Sequence, residues 1–167
     1  MKKIVLFLLL FVATSLMAVA QTDSVNVSTD QKELAGPDDI DFFPEYPGGA
    51  KGLYKFLRKE IKYPDIALQY NVEGRVIMVF VVEKDGSVSQ VMAEDCTIND
   101  YNRIKFEART PEEQQLLREQ FAFAFAKEGA RVVRAMKRWK AGYKINEVTG
   151  KKEYQRVRFH LPINFSL

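Results

Sequence analysis

Only a few residues in this chain could do covalent or acid–base chemistry. His160 is the only imidazole and Cys96 the only thiol, so a Ser-His-Asp or Cys-His arrangement would have to use them. His160 falls on the polar side of an alternating run beside Arg158, where a surface histidine is expected. Cys96 has no second cysteine to pair with, and one cysteine with one histidine does not make a zinc site of the usual composition. It reads as a buried, inert thiol. Asp and Glu are plentiful, but no pair stands apart as acid and base. The stretch "FFPEYPGGAKG", Phe42 to Gly52, raises the question of a phosphate cradle. A P-loop needs Lys and a hydroxyl directly after its second glycine, and "GGAKGLYK" has neither the spacing nor a Ser or Thr. A dinucleotide loop should follow a strand, whereas this one follows a polar aperiodic segment. The expectation is a turn at the start of a domain. No catalytic residue, metal or cofactor is expected, and the chain does not read as an enzyme.

The elements that would position these residues are legible in the hydrophobic spacing. Leu53, Phe56, Leu57 and Ile61 recur at helical intervals, with Lys51, Lys55, Arg58 and Lys59 between them. Pro64 stops that helix and suits the start of a short second one, which Asn71 can end. The run from about Arg75 to Val82 is apolar on both faces, as in a central strand. Lys84 to Gly86 is a hairpin signal, and Val88 to Ala93 is the partner strand. Glu94 to Arg109 is polar and irregular. Thr110, Pro111 and Glu113 then open a long helix, whose core face is marked by Leu117, Phe121, Phe125, Val132 and Met136. Phe123 points away from that face, so Tyr101, Ile104 and Phe106 are expected to cap it. Trp139 is expected in the core. After a turn at "NEVTG", a final strand places Val157, Phe159, Leu161, Ile163 and Phe165 on one side. Arg156, Arg158, His160, Pro162 and Asn164 fall on the other.

The first twenty residues read as a cleavable export signal: Lys2 and Lys3, an apolar stretch from Ile4 to Met17, then Ala18-Val19-Ala20. The competing reading is an uncleaved anchor, since the apolar run through Ala20 is close to the shortest that spans a membrane. Cleavage would leave 147 residues, enough for one domain, and take the formal charge from +3 to +1. That balance and export argue against a nucleic-acid partner. Charge is uneven, however. Asp38, Asp39, Asp41 and Glu45 are acidic, whereas the last third, from Arg131 to Arg158, is basic. An acidic protein segment or an anionic membrane surface is the partner this suggests, against the plain alternative of a solvated face. Residues 21–41 read as a flexible linker that adds nothing to stability, and 42–167 as the domain.

Three blocks, "YPDIALQYNVEGRVIMVFVVEKDGSVSQVMA", "ARVVRAMKRWKAG" and "QRVRFHLPINFSL", resemble the C-terminal domain of TonB energy transducers. "PEYPGGAKGLYKFL" resembles the opening of versions from Bacteroides-like bacteria. The resemblance implies a two-layer α+β fold: a small antiparallel sheet, made of the hairpin plus a C-terminal edge strand, covered on one face by helices. It implies a periplasmic interaction module that binds extended, TonB-box-like segments of outer-membrane receptors or other envelope proteins by strand addition. The guest strand is expected along Tyr154 to His160, with Arg156 and Arg158 favouring an acidic guest. Glu60, Tyr63 and Pro64 occupy the region that lies beside the box in the family. The chain departs from the family in two ways: its linker is about 20 residues, reaching at most ~70 Å, and it carries an insertion at about 95–118. The alternative is a short energy transducer, held at the inner membrane by an uncleaved anchor. Pro162, with no N–H to give, marks the last strand as an edge.

Overall fold

The computed structural model describes residues 33–167. The expected export signal and most of the expected linker lie outside the described residues. The central strand β1, Glu73–Val82, pairs antiparallel with β2, Val88–Asp100, on one side and with β5, Val157–Phe165, on the other. Its apolar character on both faces follows from that position: Val76, Met78, Phe80 and Val82 are fully buried toward the helices, and Val79 and Val81 are also buried on the opposite face. The helices are α1 (Gly49–Glu60), α2 (Asp65–Tyr70), α3 (Arg103–Glu107) and α4 (Pro111–Arg134). They cover one face of the sheet. This is a two-layer α+β fold.

Helix α4 begins where Thr110 and Glu113 cap each other: the Glu113 N–H donates to Thr110 Oγ1 and the Thr110 N–H to Glu113 Oε2. Phe121 and Phe125 are fully buried on its inner face, so the "FAFAFA" stretch is helical despite its alternation. Gly129, a weak point by propensity, sits where α4 crosses β1. A Cβ there would lie 2.7 Å from Met78 Sδ and 3.2 Å from Val76 Cγ1. Close approach, not helix stability, selects the glycine.

Three expectations need correction. Strand β2 continues to Asp100, well past Ala93, with Cys96 and Ile98 packed against the core. Its pairing with β1 shifts register at three places, and Gln90 adopts a φ of 50°. The bulges scramble the alternation that would have announced the strand. Phe123 is 69% exposed and Ile104 85% exposed, so no cap forms between them. Phe106 instead packs on Tyr101 and Phe121, with the Arg118 guanidinium over its ring. Third, Tyr154 does not belong to the last strand. It ends β4, Lys152–Tyr154, which pairs with β3, Tyr143–Ile145, in a separate two-stranded sheet around the "NEVTG" turn.

Residues 33–41, expected to belong to the linker, make specific contacts. The Ala35 N–H donates to the Arg156 carbonyl at 2.9 Å, and Ile40 is buried. The Asp41 carboxylate accepts from the Ile145 N–H at 2.7 Å, and Phe42 stacks on Tyr143 with centroids 4.6 Å apart. Trp139 closes the other end of the core. It meets Tyr46 and Phe80 edge-on and tilts against Phe159, and its N–H donates to the Gly86 carbonyl at 2.8 Å. Gly86, at φ 81°, is the hairpin residue whose Cβ would strike the Trp139 carbonyl oxygen. The Trp139 Nε1–H is buried with no acceptor among the described residues.

Two outcomes follow for stability. A chain starting at Phe42 is expected to be about 2–3 kcal/mol less stable than one starting at Glu33, the worth of burying Ile40; equal urea midpoints would show that residues 33–41 rest on the surface. Trp139→Ala is expected to cost about 3–5 kcal/mol. Trp139→Phe should cost less than half of that, because it keeps an aromatic ring and removes the unsatisfied donor. Equal losses in the two variants would assign the indole nitrogen a partner.

Candidate functional site

The site is built on β5. All nine of its residues pair with β1 without a register shift, and Pro162 stands opposite Ile77. Pro162 cannot donate, so Ile77–Pro162 is a pair that exchanges no hydrogen bonds across the ladder. Alternation then fixes the rest. Val157, Phe159, Leu161, Ile163 and Phe165 bond to β1, and the even-numbered residues direct their backbone groups outward. The Ala35 bond to the Arg156 carbonyl is one such outward contact. Among the described residues, nothing bonds to the outward N–H and C=O groups of Arg158, His160 or Asn164. The opposite edge of the sheet is β2, where the bulges interrupt any regular row of donors and acceptors.

The seven residues singled out from the sequence fall into separate groups. Arg158 and His160 lie side by side in register on the open face of β5, both exposed, with His160 Nε2 3.7 Å from Glu94 Oε2. Arg156 precedes β5 and is only 5% exposed. Its guanidinium donates to both Glu83 oxygens at 2.7 and 3.0 Å, and Glu83 also accepts from the Ser89 hydroxyl. The hydrogen bonds that Arg156 donates to Glu83 raise its pKa against the opposing effect of burial. The Arg156 guanidinium is therefore occupied by Glu83, and its carbonyl by the Ala35 N–H. Tyr154 is half exposed against Tyr143, away from the edge of β5.

Glu60, Tyr63 and Pro64 form the corner between α1 and α2. The Glu60 carboxylate accepts from Arg131 at 2.9 Å and its carbonyl from the same guanidinium at 2.6 Å. Arg131 also bonds Glu128, which accepts from the Lys62 N–H at 2.7 Å. Burial opposes the Glu128 charge, but the bonds from Arg131 and the Lys62 backbone outweigh it and hold the carboxyl below its ordinary range. Tyr63 donates its hydroxyl to the Val72 carbonyl, and its ring stands edge-on to Phe125 and Phe165. Burial, then the nearby Glu73 charge, raises the Tyr63 pKa. The Pro64 carbonyl accepts from Ala67 and Leu68 to start α2. These residues fix the corner in place.

That corner bounds a cleft of about 560 Å³. Tyr54, Leu57, Arg58, Ile61 and Tyr63 line one side, and the end of β5 from Pro162 onward lines the other. The sequence marked Leu57 and Ile61 as core and Arg58 as solvated. Nothing in its spacing announced that the helix edge stops short of β5 there. The one hint was Tyr54, an aromatic among the polar positions, which is 63% exposed.

Cys96 lines a separate apolar pocket of about 320 Å³ with Ile98, Phe106 and Phe121. Burial, then the adjacent Asp95 charge, pushes its thiol pKa up to about 11. At neutral pH it is protonated and a poor nucleophile. It packs on the core side of the sheet, whereas His160 lies on the opposite face. Among the described residues no acidic, His or Cys cluster could hold a metal ion, and no helix is long and apolar enough to cross a membrane.

No protein-family model matches the chain, and no curated protein does. Among solved structures it is similar to the C-terminal domain of Helicobacter pylori TonB, determined by solution NMR. The two are 16% identical over 69% of this chain and 77% of that one, with a TM-score of 0.38. The likeness is distant in both sequence and superposition.

Proposed function

We propose that this protein is an exported interaction module of the TonB C-terminal kind, which captures an extended segment of an envelope protein by adding it as a strand to β5. The observation that carries the reading is the outward row of backbone donors and acceptors at Arg158 and His160, unbonded among the described residues, on a strand whose ladder to β1 is regular. Main-chain bonds would supply register and the neighbouring side chains selectivity. The sequence blocks that resemble TonB domains point to a TonB-box-like segment of an outer-membrane receptor as guest, and to the periplasm as the place of action.

The docking stretch moves relative to the expectation from sequence. Tyr154 lies in another sheet and Arg156 is occupied, so the guest pairs along Arg158 to Asn164, with Pro162 leaving one donor missing. Arg158 supplies positive charge for an acidic guest. The short-transducer alternative keeps one supporting observation, the apolar run from Ile4 to Ala20, and sizing the N-terminus of the exported protein separates it from a cleaved module.

The test is Arg158→Pro. It removes an outward donor at a position like that of Pro162, two pairs along the same strand, so the domain should keep its circular dichroism spectrum. Binding of a fluorescent peptide with an alternating Val–Thr stretch should fall below detection. Unchanged affinity in the folded variant would place the guest elsewhere.

A further inference from the structure

The exposed side of α1 is a ridge of cations: Lys51, Lys55, Arg58 and Lys59. None of them has an ion-pair partner among the described residues, although six Lys or Arg ion pairs form elsewhere among them. The only acid of α1 is Glu60, and Arg131 engages it. The ridge therefore presents uncompensated positive charge. It is also shaped. A second depression, of about 460 Å³, is lined by these four cations and Tyr54. Tyr54 and Arg58 line the cleft beside β5 as well, so the two hollows meet at this pair. The Arg58 guanidinium lies 5.7 Å from the centroid of the Tyr54 ring, which holds both side chains at the junction.

The open edge of β5 runs directly into this surface. Its outward donors are at Arg158 and His160, the next is absent at Pro162, and the cleft toward α1 begins at Pro162. A guest strand thus loses its regular ladder where a hollow lined by Leu57, Ile61 and Tyr63 opens, followed by a cationic one. From Lys51 to Arg58 the helix rises only about 10 Å, which three extended residues cover.

We infer that α1 carries a second subsite for the same guest: a segment that pairs with β5, places one apolar side chain between Tyr54, Leu57 and Ile61, and lays an acidic flank across Lys55 and Arg58. This inference rests on strand addition at β5 and specifies the guest further, as an extended stretch with an apolar anchor followed by Asp or Glu. Charge complementarity selects a peptide flank, because the ridge is contiguous with the strand edge through the shared Tyr54–Arg58 pair.

The experiment compares two fluorescent peptides by anisotropy on the exported chain. Both contain an alternating Val–Thr stretch and one Leu; one ends Asp-Glu-Asp and the other Asn-Gln-Asn. The acidic tail is expected to bind about tenfold tighter at low salt, with the advantage shrinking as salt rises. Lys55→Glu with Arg58→Glu should erase the advantage, so that the two peptides bind with equal affinity; glutamine at both positions, which avoids placing new acids on the helix, should erase it as well. Equal affinities for the two tails in the unmodified protein would overturn the subsite while leaving strand addition intact. So would an acidic preference that survives both double variants. Failure of both peptides to bind would instead remove strand addition and this subsite together. Binding of phosphatidylglycerol vesicles through Lys55 and Arg58, with no tail preference among peptides, would make the ridge a membrane contact and overturn the inference.

Discussion

In a β-strand the direction of the side chain and the direction of the backbone groups alternate together, and this coupling governs β5. Leu161, Ile163 and Phe165 are buried against the helices, so their backbone groups are the ones given to β1. Arg158, His160 and Asn164 must then show both their side chains and their remaining hydrogen-bonding groups to the outside. A slip of one residue would expose Leu161, Ile163 and Phe165 and bury Arg158, His160 and Asn164, so the register is held by the whole core. The outward row at Arg158 and His160 is a consequence of core packing, and any guest inherits a register that the domain has already fixed.

The surroundings of β5 are held by contacts distant in sequence. Arg131 draws the end of α1 onto α4 through Glu60, while the Glu128 carboxylate it also binds receives the Lys62 N–H. Truncating Arg131 would remove the guanidinium from both acids at once and leave Glu128 only the Lys62 charge nearby, so this tie has no cheap substitute. Tyr63 continues it to β5, with its ring on Phe165 and its hydroxyl on the Val72 carbonyl at the start of β1. At the other end, Trp139 joins the hairpin turn at Gly86 to Tyr46 and Phe159. The cleft between α1 and β5 is therefore bounded by two braced walls, which lowers the ordering cost that a guest would meet.

Elements with a single, unbroken period were readable from the sequence. The final strand, the central strand and α4 each carry one clear pattern or cap, and the structure places them accordingly. What was not readable came from interactions that leave no local trace. Arg156 reads as one more polar position in an alternating strand, and only the carboxylate of Glu83, 73 residues away, makes it a buried ion pair. Ile40 is a lone apolar residue in an acidic stretch, so no period announces that it is buried. The bulges of β2 break the alternation that defines a strand, so the legible pattern ends before the strand does. The candidate edge is legible in the same partial way: Pro162 marks the strand that carries Arg158 and His160, but nothing local separates it from Tyr154, which ends another strand. The cleft is a gap between elements, and a gap has no sequence signature.

The energetics of strand addition explain why the cleft matters to the proposed role. A main-chain hydrogen bond contributes only about 0.5–1.5 kcal/mol net, because the guest gives up water to make it. Fixing the backbone of each guest residue costs about 1–2 kcal/mol. Along β5 only alternate residues face outward, so roughly one guest residue in two gains bonds while every residue is ordered. Pro162 removes one donor more. The ladder alone thus comes out near zero or unfavourable, even before the cost of association. Net affinity has to come from side chains, and the part of the cleft lined by Leu57 and Ile61 is where burying one guest side chain would add about 1.5–3 kcal/mol. In the proposed role the backbone row would set where a guest lies and in what register, and the cleft beside it would determine which guests stay.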